Sequence, residues 1–304
     1  MSTTKTMGTT TEGKPYSPLW RLISVIVLAP LLRVLIRNKY EGQENIPAKG
    51  GVILAPNHMS YVDWGTDALF FQRSGRYPTF MIKSGAFKVP FIGWFLLKAG
   101  QLPVYRGATD AALVLKEAEK RIGQGAAVIV YPEGTATRDP DLWPMVAKTG
   151  VARLALSSGA PVIPIAHWGT DEILHYGDKK PQFFPRKTVR TIAGPPVDLT
   201  EWAGQAHSAT ALRAATEKIM AEVAALLGQL RGETPPAIPY DPKNRPSRTD
   251  KAVSPAPADS PSKREPKAGA TSGPTSEGRG DEQRGDSSRP ERPEASTEST
   301  GSTE

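Results

Sequence analysis

Cysteine is absent from all 304 residues. That excludes disulfides, thiolate metal sites, a cysteine nucleophile and any acyl thioester carried on the chain itself. Histidine is scarce. The four residues His58, His167, His175 and His207 include no pair at metal-ligand spacing, so neither a metal nor a resident cofactor is expected. A long hydrophobic run is also missing. The most apolar stretch, Leu22 to Leu32, ends at Arg33 and Arg37, well short of the roughly 20 residues that a bilayer-spanning helix needs. No small-x-small cleavage site follows it, so a secretory leader is not expected either, and the chain should stay in the cytoplasm.

Large apolar side chains are almost lacking from Gly232 to Glu304. A segment of Pro, Ser, Thr, Gly and charge cannot bury enough surface to offset its ordering entropy, so 232–304 is expected to be a disordered tail without a catalytic role. The tail carries 11 Lys+Arg and 13 Asp+Glu, which leaves 27 and 18, a net +9, on the first 231 residues. A basic body suits phosphate-bearing partners. Nucleic acid is disfavoured as that partner, because no helix-turn-helix, zinc or aromatic-platform signature accompanies the charge.

The remaining length suits one α/β domain. A flexible 1–18 is followed by an apolar and basic segment, 19–38, whose arginines can snorkel to lipid phosphates while Leu, Ile and Val enter the acyl boundary. It reads as a helix that associates with a membrane, kinked at Pro30; packing on the core is the plainer alternative. From 39 to 231 strands and helices alternate. Candidate strands are 39–42, 51–56, 79–83, 101–106, 126–131, 161–166 and 188–193. Candidate helices are 61–71 with Ser60 as N-cap, 110–122 capped by Asp110, 148–157 and 209–230. This alternation predicts an α/β fold with a mostly parallel central sheet flanked by helices. In such sheets ligands gather beyond the strand ends.

One strand end carries a candidate acid-base pair. Asn57-His58-Met59-Ser60-Tyr61-Val62-Asp63 follows the apolar run Gly51–Pro56. An imidazole can take a proton near neutral pH, and a carboxylate on its other nitrogen fixes the tautomer and stabilises the imidazolium. Tyr131-Pro132-Glu133-Gly134-Thr135 closes another buried run, and Val162-Ile163-Pro164-Ile165 forms a third. Glu133 reads equally as a structural carboxylate for loop N–H groups or as a substrate contact. The aromatic stretch Val89–Leu97 is either core, an acyl groove or a membrane contact.

Four of these segments resemble the ordered motifs of the glycerolipid acyltransferases, above all the 1-acylglycerol-3-phosphate acyltransferases. The first is Asn57-His58 through Asp63. The second is Lys83–Pro90 with Gly93–Gly100, Pro103 and Arg106; the third is Tyr131–Thr135 and the fourth Val162–Ile165. The resemblance covers roughly Gly42 to Pro196. It implies transfer of a fatty acyl group from acyl-CoA or acyl carrier protein to the free hydroxyl of a lysophospholipid, giving phosphatidic acid, with His58 as general base and Asp63 as its orienter. No acyl-enzyme is implied, and no G-x-S-x-G elbow is present.

The resemblance also assigns the acceptor phosphate to Lys83, Arg106 and the third-motif arginine. Here Gly134-Thr135 is followed by Ala136-Thr137, so the arginine is displaced to Arg138; Lys148 or Arg153 could serve instead. Backbone N–H groups near Gly134-Thr135, or at the start of the 61–71 helix, are candidates for the oxyanion. Expected partners are the acyl donor, a lysophospholipid acceptor and an anionic membrane surface on the cytoplasmic face. The same chemistry on glycerol-3-phosphate or another lipid acceptor is the nearest alternative. A non-catalytic lipid-binding scaffold is a further one.

Overall fold

Val52–Pro56 (β2) is buried at every residue, as a strand covered on both faces must be. Its neighbours are Ala127–Ile129 (β5) on one side and Val162–Trp168 (β6) on the other, both parallel to it. The computed structural model describes residues 18–104 and 108–243. Beyond the central three strands come Pro78–Lys83 (β3) and Leu102–Val104 (β4) at one edge, Lys187–Ala193 (β7) and Ile36–Glu41 (β1) at the other. The order is β1-β7-β6-β2-β5-β3-β4. All pairings are parallel except β6 with β7, so the β7–β1 pair runs against the other five strands.

Helices cover both faces. Asp63–Arg73 (α3) follows β2, Ala108–Gly123 (α5) follows β4, Gly150–Ser158 (α6) precedes β6, and Ala209–Arg231 (α7) packs along β6. One face buries Ile53, Val128 and Val162 against Ala118, Leu154 and Ile219; the other buries Leu54, Ile129 and Ile163 against Phe70 and Phe71. This is the period-two alternation of a strand read from both sides.

The N-terminal helix runs as Pro18–Ile23 (α1), a π-helical stretch Ser24–Leu28, and Ala29–Leu35 (α2). Pro30 offers no N–H and crowds the preceding turn, and the disturbance falls as that π stretch just before it. The expected boundary at 38 moves. Residues from Ile36 onward belong to β1, because Ile36 is buried against Ile173 and Val189 and pairs with Lys187. Leu32 and Leu35 pack on that cluster, whereas Leu19, Leu22, Ile26, Val27, Leu31 and Val34 are exposed. No helix among the described residues is long and apolar enough to cross a membrane.

Three further boundaries differ from expectation. The helix after β2 begins at Asp63, with Val62 in the capping position; the Ser60 hydroxyl is drawn away to donate to Leu174 O at 2.6 Å. Asp110 lies inside α5 rather than at its cap. Ordered structure also continues past α7. Gly232 ends that helix at φ 72, the left-handed conformation usual for a C-terminal glycine, and 232–243 returns to the sheet's end, where Val146 N–H donates to Tyr240 O at 3.0 Å. The expected tail therefore starts no earlier than 244, and its later residues lie outside those described.

Candidate active site

The C-terminal ends of the three central strands converge. β2 leads into Asn57-His58, β5 into Tyr131 and Glu133, and β6 carries His167 two residues beyond Ile165, the partner of Pro56. Asn57 joins two of these strands. Its Nδ2 donates to His167 O at 3.1 Å and its Oδ1 accepts from His167 N–H at 2.8 Å, while its own N–H donates to Ile165 O at 3.2 Å. The side-chain amide thus extends the β2–β6 ladder one step after the backbone has turned away.

His58 leaves that step with its backbone clamped. Its N–H donates to Glu133 Oε1 at 2.8 Å, and its carbonyl accepts from Thr137 N–H at 2.7 Å. Its Nδ1 lies 2.7 Å from Asp63 Oδ2. That same oxygen accepts the N–H groups of Met59 at 2.8 Å and Ser60 at 2.9 Å, so the turn from 58 to 63 is closed on one carboxylate atom. Placing Asp63 in the first turn of α3 also sets its charge at the positive end of the helix. The imidazole is 14% exposed and Asp63 is fully buried. With Nδ1 held, Nε2 is the nitrogen that the carboxylate leaves available for proton transfer.

A second layer lies behind this pair. Asp67 sits one helical turn after Asp63 on the same face, and the fully buried His167 ring stands between them, Nε2 3.1 Å from Asp63 Oδ2 and Nδ1 3.4 Å from Asp67 Oδ1. Both contacts are ion pairs, with charge as the larger part of the attraction and hydrogen bonding the smaller. Tyr131 closes the circuit. Its hydroxyl donates to Asp67 Oδ2 at 2.7 Å, and its ring stacks on His58 with centroids 4.3 Å apart.

The electrostatics follow from this packing. Burial disfavours charge on His167, but Asp63 and Asp67 outweigh it and hold the imidazolium well above its ordinary range. Burial likewise opposes the Asp63 carboxylate; His167 and His58 outweigh it and hold the carboxyl well below the usual range. Glu133 behaves oppositely. Burial pushes it up to about 8 despite the N–H groups of Met145 and His58 on its two oxygens. Of the two readings of Glu133 from sequence, these contacts are those of the structural carboxylate, since both oxygens tie loops together.

The other expected residues are placed less tightly. Gly134, at φ 73, lets the Lys148 side chain lie where a Cβ would stand 2.9 Å from its Nζ. Its N–H donates to Tyr131 O at 3.1 Å, and those of Met59 and Ser60 go to Asp63. The Gly134 N–H expected for an oxyanion is therefore committed within its own turn. Thr135 is half-buried. Arg138 is exposed, with its guanidinium 5.4 Å over the Tyr176 ring. Lys83 ends β3, two strands from β2, and is exposed. Arg106 lies outside the described residues.

Sequence reasoning missed Asn57 as a splice, and Asp67, His167 and Tyr131 as the second layer. The signal for Asp67 was present. Two carboxylates at i and i+4 on one helix repel unless a cation separates them, and His167 sits in an otherwise apolar strand. Among the described residues no group of three or more His, Cys, Asp or Glu could hold a metal ion.

Comparison with known proteins agrees with this architecture. The chain is 31% identical over 163 residues to the chloroplastic 1-acyl-sn-glycerol-3-phosphate acyltransferase BAT2 of Brassica napus, covering 53% of this chain and 44% of that protein. It is 34% identical over 143 residues to the 1-acyl-sn-glycerol-3-phosphate acyltransferase of Pseudomonas aeruginosa, covering 45% and 52%. It thus spans about half the length of these relatives. The crystal structure of the 1-acyl-sn-glycerophosphate acyltransferase PlsC from Thermotoga maritima shares the fold, with a TM-score of 0.54 at 24% identity over 70% of this chain and 82% of that one. The model of the Acyltransferase family matches residues 37–168, from β1 through the end of β6, the stretch that carries His58, Asp63, Glu133 and His167.

Proposed function

We propose that this chain transfers a fatty acyl group from acyl-CoA or acyl carrier protein to the free hydroxyl of 1-acylglycerol-3-phosphate, forming phosphatidic acid for phospholipid synthesis. The observation that carries the reading is the 2.7 Å contact of His58 Nδ1 with an Asp63 oxygen that two backbone N–H groups already hold in place. His58 Nε2 takes the hydroxyl proton as the oxygen attacks the thioester carbonyl. The C–O bond forms, the C–S bond breaks, and the departing thiolate recovers the proton from the imidazolium. A base positioned in this way contributes about 10²- to 10⁴-fold in rate. No covalent acyl-enzyme enters the sequence. Glu133 and Thr137 hold the His58 backbone, and Asp63 holds the ring.

Acceptor phosphate is assigned to Arg138 and Lys148 beside the third motif and to Lys83 at the end of β3, with Arg106 added on the resemblance of the second motif alone. An arginine grips phosphate with two parallel bonds and a lysine as a point charge. The displaced Arg138, stacked on Tyr176, favours as second reading the same chemistry on another lysophospholipid or on glycerol-3-phosphate.

We further infer peripheral or monotopic attachment to an anionic membrane on the cytoplasmic face. The outward apolar face of α1 and α2 supports it, as does Ile92–Lys98 (α4), which with its lead-in leaves Val89, Phe91, Ile92, Trp94 and Leu97 exposed between Lys88 and Lys98. Gly93 holds this helix close, since a Cβ there would stand 2.0 Å from Phe87 O.

The purified protein, given acyl-CoA or acyl carrier protein donors and a panel of acceptors, should acylate lysophosphatidic acid. His58→Ala should abolish turnover while salt-sensitive binding to phosphatidylglycerol vesicles persists. Product from no lysophospholipid, or full activity in the variant, would overturn the reading.

A further inference from the structure

Three segments remote in sequence meet beside His58 without taking part in the dyad. They are the loop from Thr137 to Leu142, the His175-Tyr176 turn, and the segment 232–243 that returns from α7. Together they line a cleft of about 250 Å³ whose walls include Thr137, Arg138, His175, Tyr176 and Tyr240. Each wall is tied to the His58 turn. Thr137 N–H donates to His58 O at 2.7 Å, and Ser60 Oγ donates to Leu174 O at 2.6 Å. Tyr61 bridges the two sites, its ring 6.1 Å from that of His58 and 6.2 Å from that of Tyr176. Tyr240 is registered through Val146, whose N–H it accepts, next to Met145, whose N–H is held by the Glu133 carboxyl that also holds His58.

We propose that this cleft receives the phosphate-bearing head group of the acceptor, and that the 232–243 segment, through Tyr240, is its outer wall and selects among acceptors. The inference rests on the acyl-transfer reading of His58 and deepens it. Arg138 supplies a fork of donors for phosphate, and His175 a ring N–H donor. Tyr176 and Tyr240 offer hydroxyls for the glycerol oxygens and flat faces for its carbons. The cleft volume equals the share of about eight liquid waters, a space on the scale of a glycerophosphate. Asp139 also lines the cleft and carries the wrong sign for a phosphate. Its Oδ1 is occupied by Asp141 N–H at 2.8 Å.

The test uses the full chain. Lysophosphatidic acid binding is measured directly on His58→Ala and on the double variant His58→Ala/Tyr240→Ala, and steady-state constants on Tyr240→Ala and Tyr240→Phe. Tyr240→Ala should weaken acceptor binding and raise acceptor KM about tenfold, which is about 1.4 kcal/mol, with donor KM within twofold of the parent. Phe should recover only the part of that loss owed to the ring face, leaving the hydroxyl's share. Circular dichroism and the thermal midpoint check that each variant is folded. Glycerol-3-phosphate should compete for the cleft better than inorganic phosphate. Unchanged acceptor binding and KM in folded Tyr240→Ala would overturn the cleft assignment, as would equal losses for donor and acceptor. Tight lysophosphatidic acid binding that depends on Tyr240, without any acylated product from the parent, would uphold the cleft and sink the acyl-transfer reading.

Discussion

Replacing His167 with Gln removes a cation held between two buried carboxylates, and the structure sets the size of the effect. All three side chains are fully buried, and the ring nitrogens lie 3.1 and 3.4 Å from the carboxylate oxygens. Breaking a buried pair by deleting one partner costs about 3–5 kcal/mol. Asp63 keeps His58 and two N–H donors, and Asp67 keeps the Tyr131 hydroxyl, which places the loss near the lower end, about 3 kcal/mol at pH 7.

The pH dependence has a definite sign. His167 holds its proton more tightly folded than unfolded, so its stabilisation is complete below the unfolded value of about 6.5 and fades as pH rises toward the folded one. Between pH 7 and 9 the parent should lose stability more steeply than His167→Gln, by up to about 1.4 kcal/mol per pH unit. Glu133 is raised in both proteins, and further in the variant because His167 is among the charges that lower it, so the variant keeps part of the same slope and the difference stays below that limit. Asp63 is depressed, so the stability it contributes is present above about pH 4 and lost as pH falls through its folded value. The deficit of the variant should therefore shrink in acid, as the crowded carboxylates take up protons. Urea unfolding followed by tryptophan fluorescence, across pH 4 to 9, measures all of this. A loss under about 1 kcal/mol at pH 7, or parallel stability curves for the two proteins from pH 7 to 9, would refute the buried-cation argument.

Two other outcomes are open to measurement. Asn57→Ala strands the N–H and carbonyl of His167, each at about 1–3 kcal/mol when buried and unpaired; urea midpoints should fall accordingly, and an unchanged midpoint would show that the splice carries no weight. Phe91→Ser should cut vesicle flotation about tenfold while leaving the urea midpoint within error, because Phe91 is 87% exposed and a large apolar side chain is worth about 1.5–3 kcal/mol on burial. Equal flotation would remove α4 from the membrane contact.

Much of this arrangement is legible in the chain before any coordinates. Runs such as Val52–Pro56 and Val162–Ala166 are continuous and apolar because strands in the middle of a parallel sheet are covered on both faces, and their spacing brings His58 and Glu133 to one end. Strand direction at the edge is not encoded in this way, so the reversal at β7 is visible only in the fold. The start of α3 depends on where the Asp63 carboxylate turns, a contest between two N–H groups and the Ser60 hydroxyl that residue preferences do not decide. His167 and Asp67 are 100 residues apart, and only the β6–β2 register brings them together. The 232–243 segment has the composition of a tail. A few fixed contacts, notably Tyr240 O with Val146 N–H, are enough to hold it.

The Asn57 amide makes the histidine a continuation of the sheet instead of a passenger on a loop. A histidine mounted in this way has little freedom of its own, because to swing it the chain would have to unzip the last rung between the two innermost strands. Any adaptation around it must then come from the parts hung beside it, the tyrosine-lined walls and the apolar helices, while the His58–Asp63 geometry stays the same. On heating, such a site should fail together with the core and not ahead of it.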